Sequence, residues 1–290
     1  MCLLVNAFFW GISWWPFKQL ESLGLHPLWA TAIVYGIALV LIALWCLWRR
    51  VDWGVWARQP ALWALLVASG LTNVGFNWAV TVGDVVRVVL LFYLMPAWSV
   101  AVAWLLLGER PGRAALLRLL MALAGLFIVL KRPDMPWPVP ESLADGLALM
   151  GGLCFAITNV LLLKLRATPE SARMLAMFGG GTAMASLTAV LGLATGVVTV
   201  GAAPTPVWLP LLGLLTLAFL LGNLALQYGA ARLAAHTTAL IMLSEVVFAS
   251  VSSVLLDAAQ WDNRTGIGGA LILLAALLSV GWPGRSKGPG

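Results

Sequence analysis

Ten apolar runs, each near the length that carries a helix across a bilayer, fill most of this 290-residue chain. A hydrocarbon layer of about 30 Å takes about 20 helical residues to cross. Within it, only helices or closed barrels satisfy every backbone N–H and C=O. The runs cover residues 2–17, 28–48, 61–80, 84–107, 114–130, 143–163, 174–197, 206–229, 235–256 and 265–282. Only 10% of the residues are charged, well short of the roughly 25% found in soluble domains. The expected fold is an all-α membrane protein with ten transmembrane helices.

Short connectors separate the runs, and two of them organise the chain. Arg49–Pro60 carries Arg49, Arg50 and Arg58, while 131–142 holds Pro133, Pro136, Pro138 and Pro140. The proline-rich segment divides the chain into a first half at 1–132, a periplasmic connector at 133–142, a second half at 143–282 and a cytoplasmic tail at 283–290. With the N-terminus in the cytoplasm, twelve of the 17 Lys and Arg residues fall on the inner side and five (Lys18, Arg87, Lys131, Arg132, Arg264) on the outer. The positive-inside rule therefore places both termini inside. The same distribution accounts for the net charge of +6 without a nucleic-acid partner. The first run opens at Cys2 without a basic leader or cleavage site, so it is expected to remain in the mature protein. Cys2, Cys46 and Cys154 lie inside apolar runs with no ligand spacing between them, which suggests neither a disulfide framework nor a metal site.

The halves resemble each other. Trp10-Gly11-Ile12-Ser13-Trp14 in the first run parallels Phe155-Ala156-Ile157-Thr158-Asn159 in the sixth, at an offset of 145. Asn73 and Asn77, followed by Trp78, parallel Asn223 and Gln227, followed by Tyr228, at an offset of 150. A spacing of four puts each amide pair on one helix face, and polar side chains in a span face the bundle interior. Five runs separate each segment from its copy, an odd number, so the copies cross the membrane in opposite directions. The fold is thus read as two inverted five-helix repeats. Secondary transporters use this arrangement, with the solute bound near the midplane between the halves.

The chemistry of an enzyme is missing. His26 and His236 are the two histidines, too few and too far apart in sequence for a catalytic or metal cluster. Gly266, Gly268 and Gly269 open an apolar run without the spacing or preceding strand of a nucleotide loop, and Gly179-Gly180-Gly181 suits close helix packing. No cofactor is expected, and no ATP-binding loop is present, so uphill transport would draw on a gradient. Lys18, Arg87, Arg118 and Arg232 fall near span ends, where long side chains snorkel to the interface. A carrier for polyanions needs buried cations, so the solute is read as neutral, zwitterionic or apolar.

Trp10 and Trp14, one turn apart, supply a flat wall for such a solute, with Phe155 and Asn159 as their copies. Asn73, Asn77, Asn223 and Gln227 supply amides, and Trp78, Tyr93 and Tyr228 complete the candidate lining. Interhelical hydrogen bonding is an equal reading of the amides, and interfacial belts account for most of the other tryptophans. Glu245, eleven residues into the ninth run, either carries a coupling proton or bridges helices as a structural partner.

Ala79 to Val129, with Asp84-Val85-Val86-Arg87, Leu94-Met95-Pro96, Leu107-Gly108-Glu109-Arg110-Pro111 and Ala122-Leu123-Ala124-Gly125, resembles the EamA repeat of the drug/metabolite transporter superfamily. Gly229 to Leu277, with Ser244-Glu245-Val246-Val247-Phe248 and Gly268-Gly269-Ala270-Leu271-Ile272-Leu273, is similar to a second copy, although no proline follows Glu245. The resemblance implies a ten-helix transporter of small molecules in a bacterial inner membrane. The tryptophan-rich first run looks most like exporters of aromatic and other amino acids of the YddG type. Multidrug or other metabolite exporters share the fold and stand as the alternative, with a channel behind them.

Overall fold

The computed structural model describes residues 1–83, 85–108, 111–130, 140–199, 206–257 and 263–281. Asp84, Glu109 and Arg110 of the sequence motifs, most of the 133–142 connector and the 283–290 tail lie outside them. Among the described residues all regular structure is helical. The segments are α1 (Cys2–Ile12), α2 (Trp14–Ser22), α3 (Pro27–Trp48), the short α4 (Val55–Arg58), α5 (Ala61–Val82), α6 (Val85–Phe92), α7 (Met95–Leu107) and α8 (Arg113–Leu130). The second half holds α9 (Leu143–Lys164), α10 (Glu170–Ala194), α11 (Trp208–Ala230), α12 (Ala235–Met242), α13 (Ser244–Leu255) and α14 (Asn263–Gly281).

Among the described residues, seven helical stretches are long and apolar enough to cross a membrane, counting α6–α7 from Arg87 and α12–α13 as one stretch each; the others are α3, α8, α9, α10 and α11. α5 matches α3 and α9 in its 22 residues, α14 adds a further apolar helix, and α1 is parted from α2 at Ser13.

The breaks have local causes. Ser13 Oγ donates to the Trp10 carbonyl at 2.7 Å, and Ser244 Oγ donates to the Ile241 carbonyl at 2.7 Å, beside the interruption at Leu243. Serine bonding back to the preceding turn competes with the helical ladder and bends it. Between α6 and α7, Pro96 occupies the first turn of the new helix, where its missing N–H costs nothing. Helix ends are also marked. His26 Nδ1 accepts from the Leu28 N–H at 3.2 Å before Pro27, Ser142 and Asp145 form a capping box on α9, and Gly108 ends α7 at φ 70°.

Packing follows the repeat correspondence. α1 packs on α11 and α13, while α9, which holds the copy of the Trp10–Trp14 segment, packs on α5 and α7. α3 pairs with its counterpart α10, and α8 with α14. Small residues set the closest approaches: a Cβ on Gly180 would strike the carbonyl oxygen of Leu66, and one on Gly125 would lie 2.6 Å from that of Gly268. The packing role read for the 179–181 glycines fits Gly180 and also Gly181, which faces the Tyr35 ring. Leu105, Leu117, Leu209 and Trp48 lie on the outer surface, each more than half exposed, as lipid-facing side chains must be.

Candidate functional site

Two adjoining cavities lie between the halves. A vestibule of about 680 Å³ is lined by Trp14, Phe17, Lys18, Glu21, Pro27, Val89, Tyr93, Leu130, Val254 and Thr265, among others. These sit where α2 and α13 end, α3 and α14 begin and α8 ends, so the vestibule belongs to the face that also carries the start of α9. Beyond it a narrow inner cavity of about 60 Å³ is lined by residues including Tyr35, Asn73, Phe92, Met95, Phe155, Asn223, Met242 and Glu245. Trp10, Phe76, Asn77 and Glu245 line both and mark the junction. Glu245 and Tyr93 both line the vestibule. Before α3, burial lowers the pKa of His26 from its ordinary value, and the Glu21 carboxylate opposes the shift.

The inner cavity is built in corresponding pairs. Asn73 and Asn223, Phe76 and Leu226, Phe92 and Met242, and Met95 and Glu245 each differ by 150 in number, and Trp10 and Phe155 by 145, and all line it. Of the residues singled out in the sequence, Trp10, Asn73, Asn77, Phe155, Asn223 and Glu245 meet in the inner cavity, while Trp14 and Tyr93 line the vestibule. Tyr35, Phe76, Phe92, Met95, Met177 and Met242 were not singled out. Extending the offset of 150 beyond the amides would have found Phe76, Phe92 and Met242. Tyr35 carries no such signal.

Four candidates lie elsewhere. Tyr228 is half exposed and sits under the Arg232 guanidinium, 3.5 Å from its ring centroid, and Trp78 packs beside Leu28, Ala189 and Val198. Each follows an amide of the polar face by one position, which turns it about 100° away on the helix. Asn159 and Gln227 are fully buried and line neither cavity. They belong to a layer one helical turn beyond the inner cavity, on the side of the chain termini. Asn6 lies four residues from Trp10, Asn159 from Phe155, Gln227 from Asn223 and Thr238 from Met242, and all four are 0% exposed. Asn6 Oδ1, both polar atoms of Asn159, Gln227 Oε1 and Thr238 Oγ1 have no hydrogen-bond partner among the described residues.

The amides themselves brace the helices. Tyr35 Oη donates to Asn73 Oδ1 at 2.9 Å and Asn77 Nδ2 to Thr31 Oγ1 at 2.6 Å, tying α3 to α5. Gln227 Nε2 donates to Asn223 Oδ1 within α11 at 2.7 Å. Trp14 Nε1 donates to Ser252 Oγ at 2.9 Å, tying α2 to α13.

Two arginines depart from simple snorkelling. Arg118 is buried, and its guanidinium donates to the Leu278 carbonyl at 2.7 Å, between α8 and α14. A carbonyl at close range serves it where water would be reached only by a longer path. Arg87 forms a two-pronged pair with Asp145, at 2.8 and 2.9 Å. Asp145, which was not singled out in the sequence, also accepts from the backbone N–H groups of Glu141 and Ser142. With its charge matched by four donors, Asp145 tolerates near-complete burial.

Residues 1–131 match the family model described as the EamA-like transporter family. A crystal structure described only as that of a protein superposes with a TM-score of 0.74 over 96% of this chain and 94% of its own, at 16% identity. That likeness establishes the fold alone. No curated protein matches the sequence. The fold is that of a multi-pass membrane protein, and residues 1–131 are similar to the EamA-like transporter family.

Proposed function

We propose that the chain is a ten-span secondary transporter that exports small neutral or zwitterionic solutes, amino acids foremost, by alternating access across a bacterial inner membrane. The carrying observation is the inner cavity: residues at corresponding positions of the two halves converge on it, and it adjoins a larger vestibule. With the N-terminus inside, that vestibule faces outward. An aromatic wall with a few amides is the usual lining for a small amphipathic solute, and among the described residues no lysine, arginine or histidine lines the inner cavity to hold a polyanion. Trp10, Asn73, Asn77, Phe155 and Asn223 are the contacts proposed for the solute.

The test is uptake of radiolabelled amino acids into liposomes containing the purified protein, run as a panel of aromatic, aliphatic and acidic side chains. Saturable uptake of aromatic and other neutral amino acids is expected, with little of aspartate or glutamate. Uptake confined to unrelated drugs or metabolites would replace the amino-acid reading while keeping the fold's general role.

A further inference from the structure

We propose that the inner cavity is an ammonium site: Glu245 and the surrounding aromatic rings seat a positively charged amine, while the rest of the solute remains in the vestibule. This rests on the transporter reading and names the group by which the solute is recognised. The charge inventory comes first. Among the described residues, Glu245 is the one ionisable acid or base lining the inner cavity apart from the phenol of Tyr35, and Trp10, Tyr35, Phe76, Phe92 and Phe155 stand around the same space. Ring faces attract cations, most strongly where water is excluded, and an incoming ammonium supplies the counter-charge that an intramembrane carboxylate lacks. Size agrees. About 60 Å³ holds roughly four water-sized groups, enough for a head group and too little for an aromatic amino acid, whereas the vestibule of about 680 Å³ takes the remainder. Glu245 lines both spaces, so an amine can enter the inner cavity while its substituent stays outside.

The experiment is calorimetric titration of the full-length protein in lipid nanodiscs with phenethylamine, N-acetylphenethylamine and 3-phenylpropionate, which share a ring but carry positive, zero and negative charge. Phenethylamine is expected to bind at least about tenfold more tightly than either of the others, and Glu245→Gln to bring the three within about threefold. Equal binding of the neutral or anionic compound, no binding of any of the three, or a Glu245→Gln protein that keeps the preference would overturn the assignment. Should Glu245→Gln fail to fold, the series on the parent protein decides. Charge-selective binding without flux would remove the transporter reading alone; saturable flux without charge selectivity would remove the ammonium site alone.

A second inference stands on the buried polar layer. We infer that Asn6, Asn159, Gln227 and Thr238 form the closed inner half of the solute path and become its wall when the protein opens toward the termini. Leaving such groups buried without partners costs about 1–3 kcal/mol each, and a stable core would replace them with apolar side chains. Their repeat counterparts make the point: Asn159 corresponds to Trp14 and Gln227 to Asn77, and both counterparts line the open vestibule. In an inverted repeat, exchanging the conformations of the halves exchanges those environments. Thr238→Val, which keeps shape and removes the unpartnered hydroxyl, is expected to leave the melting temperature equal or higher while slowing solute exchange at least about fivefold. A Cys at 238, in a protein otherwise free of cysteine, should react with an impermeant thiol reagent in inside-out vesicles. Unchanged exchange in Thr238→Val, or no reaction of that Cys in a protein that is transporting, would overturn this assignment; a parent without flux whose Cys reacts would instead remove the transport reading.

Discussion

Met95 and Glu245 occupy corresponding places in the two halves, yet one is a thioether and the other a carboxylate, and both line the same cavity. Corresponding positions of the site therefore carry different chemistry, and single substitutions should act differently on the two halves. Asn77 lines both cavities, while its counterpart Gln227 lies in the buried layer beyond them. Asn77→Leu is expected to weaken solute binding from the vestibule side roughly tenfold, about 1.4 kcal/mol. Its loss of the bond to Thr31 should cost the fold about 1 kcal/mol. Gln227→Leu should leave that binding within about twofold and change the translocation rate instead. Titration and counterflow on both variants check this; equal loss of affinity in both would show that the two amides share one role.

Close contact sets how the elements can move. α5 and α10 approach through Gly70 and Gly180, where an added Cβ on Gly180 would meet the Leu66 carbonyl. Gly180→Ala should lower stability by about 1–3 kcal/mol, the usual cost of overpacking. Gly213→Ala, with no atom within 4 Å of its Cβ, should be neutral or slightly stabilising because alanine favours the helix. Thermal unfolding in detergent measures both, and equal melting temperatures would show that α10 shifts freely away from α5. The apolar runs that give these helices were legible in the sequence because crossing hydrocarbon demands length and hydropathy together. The interruptions at Ser13 and Leu243 were not, since a serine bonding to its own preceding turn leaves no mark in composition. Tyr35 and Met177 stayed hidden for another reason: they reach the cavity from α3 and α10, outside the repeated amide pairs that marked the inward face of α5 and α11. The amide pairs were visible as one face, but the side chain that follows each amide turns away from it, so Trp78 and Tyr228 went with the pattern in sequence and against it in space.

At the scale of the molecule, the vestibule marks the face where α2 and α13 end and α3 and α14 begin. Orientation in the membrane then fixes which side loads. Ser253 lines the vestibule, and Gln59 sits in the loop at the opposite end of α3 from Pro27. In a background free of the native cysteines, an impermeant thiol reagent on intact cells should modify Ser253→Cys and spare Gln59→Cys; the reverse pattern would invert the topology. The central claim is that a solute passes through this cavity by alternating exposure to the two faces. Counterflow in reconstituted liposomes tests it most directly: internal unlabelled phenylalanine should accelerate and transiently concentrate external labelled phenylalanine, with uptake that saturates. Uptake that rises linearly with concentration and ignores the internal solute would make the protein a channel, and absence of flux for every solute in the panel would contradict transport itself.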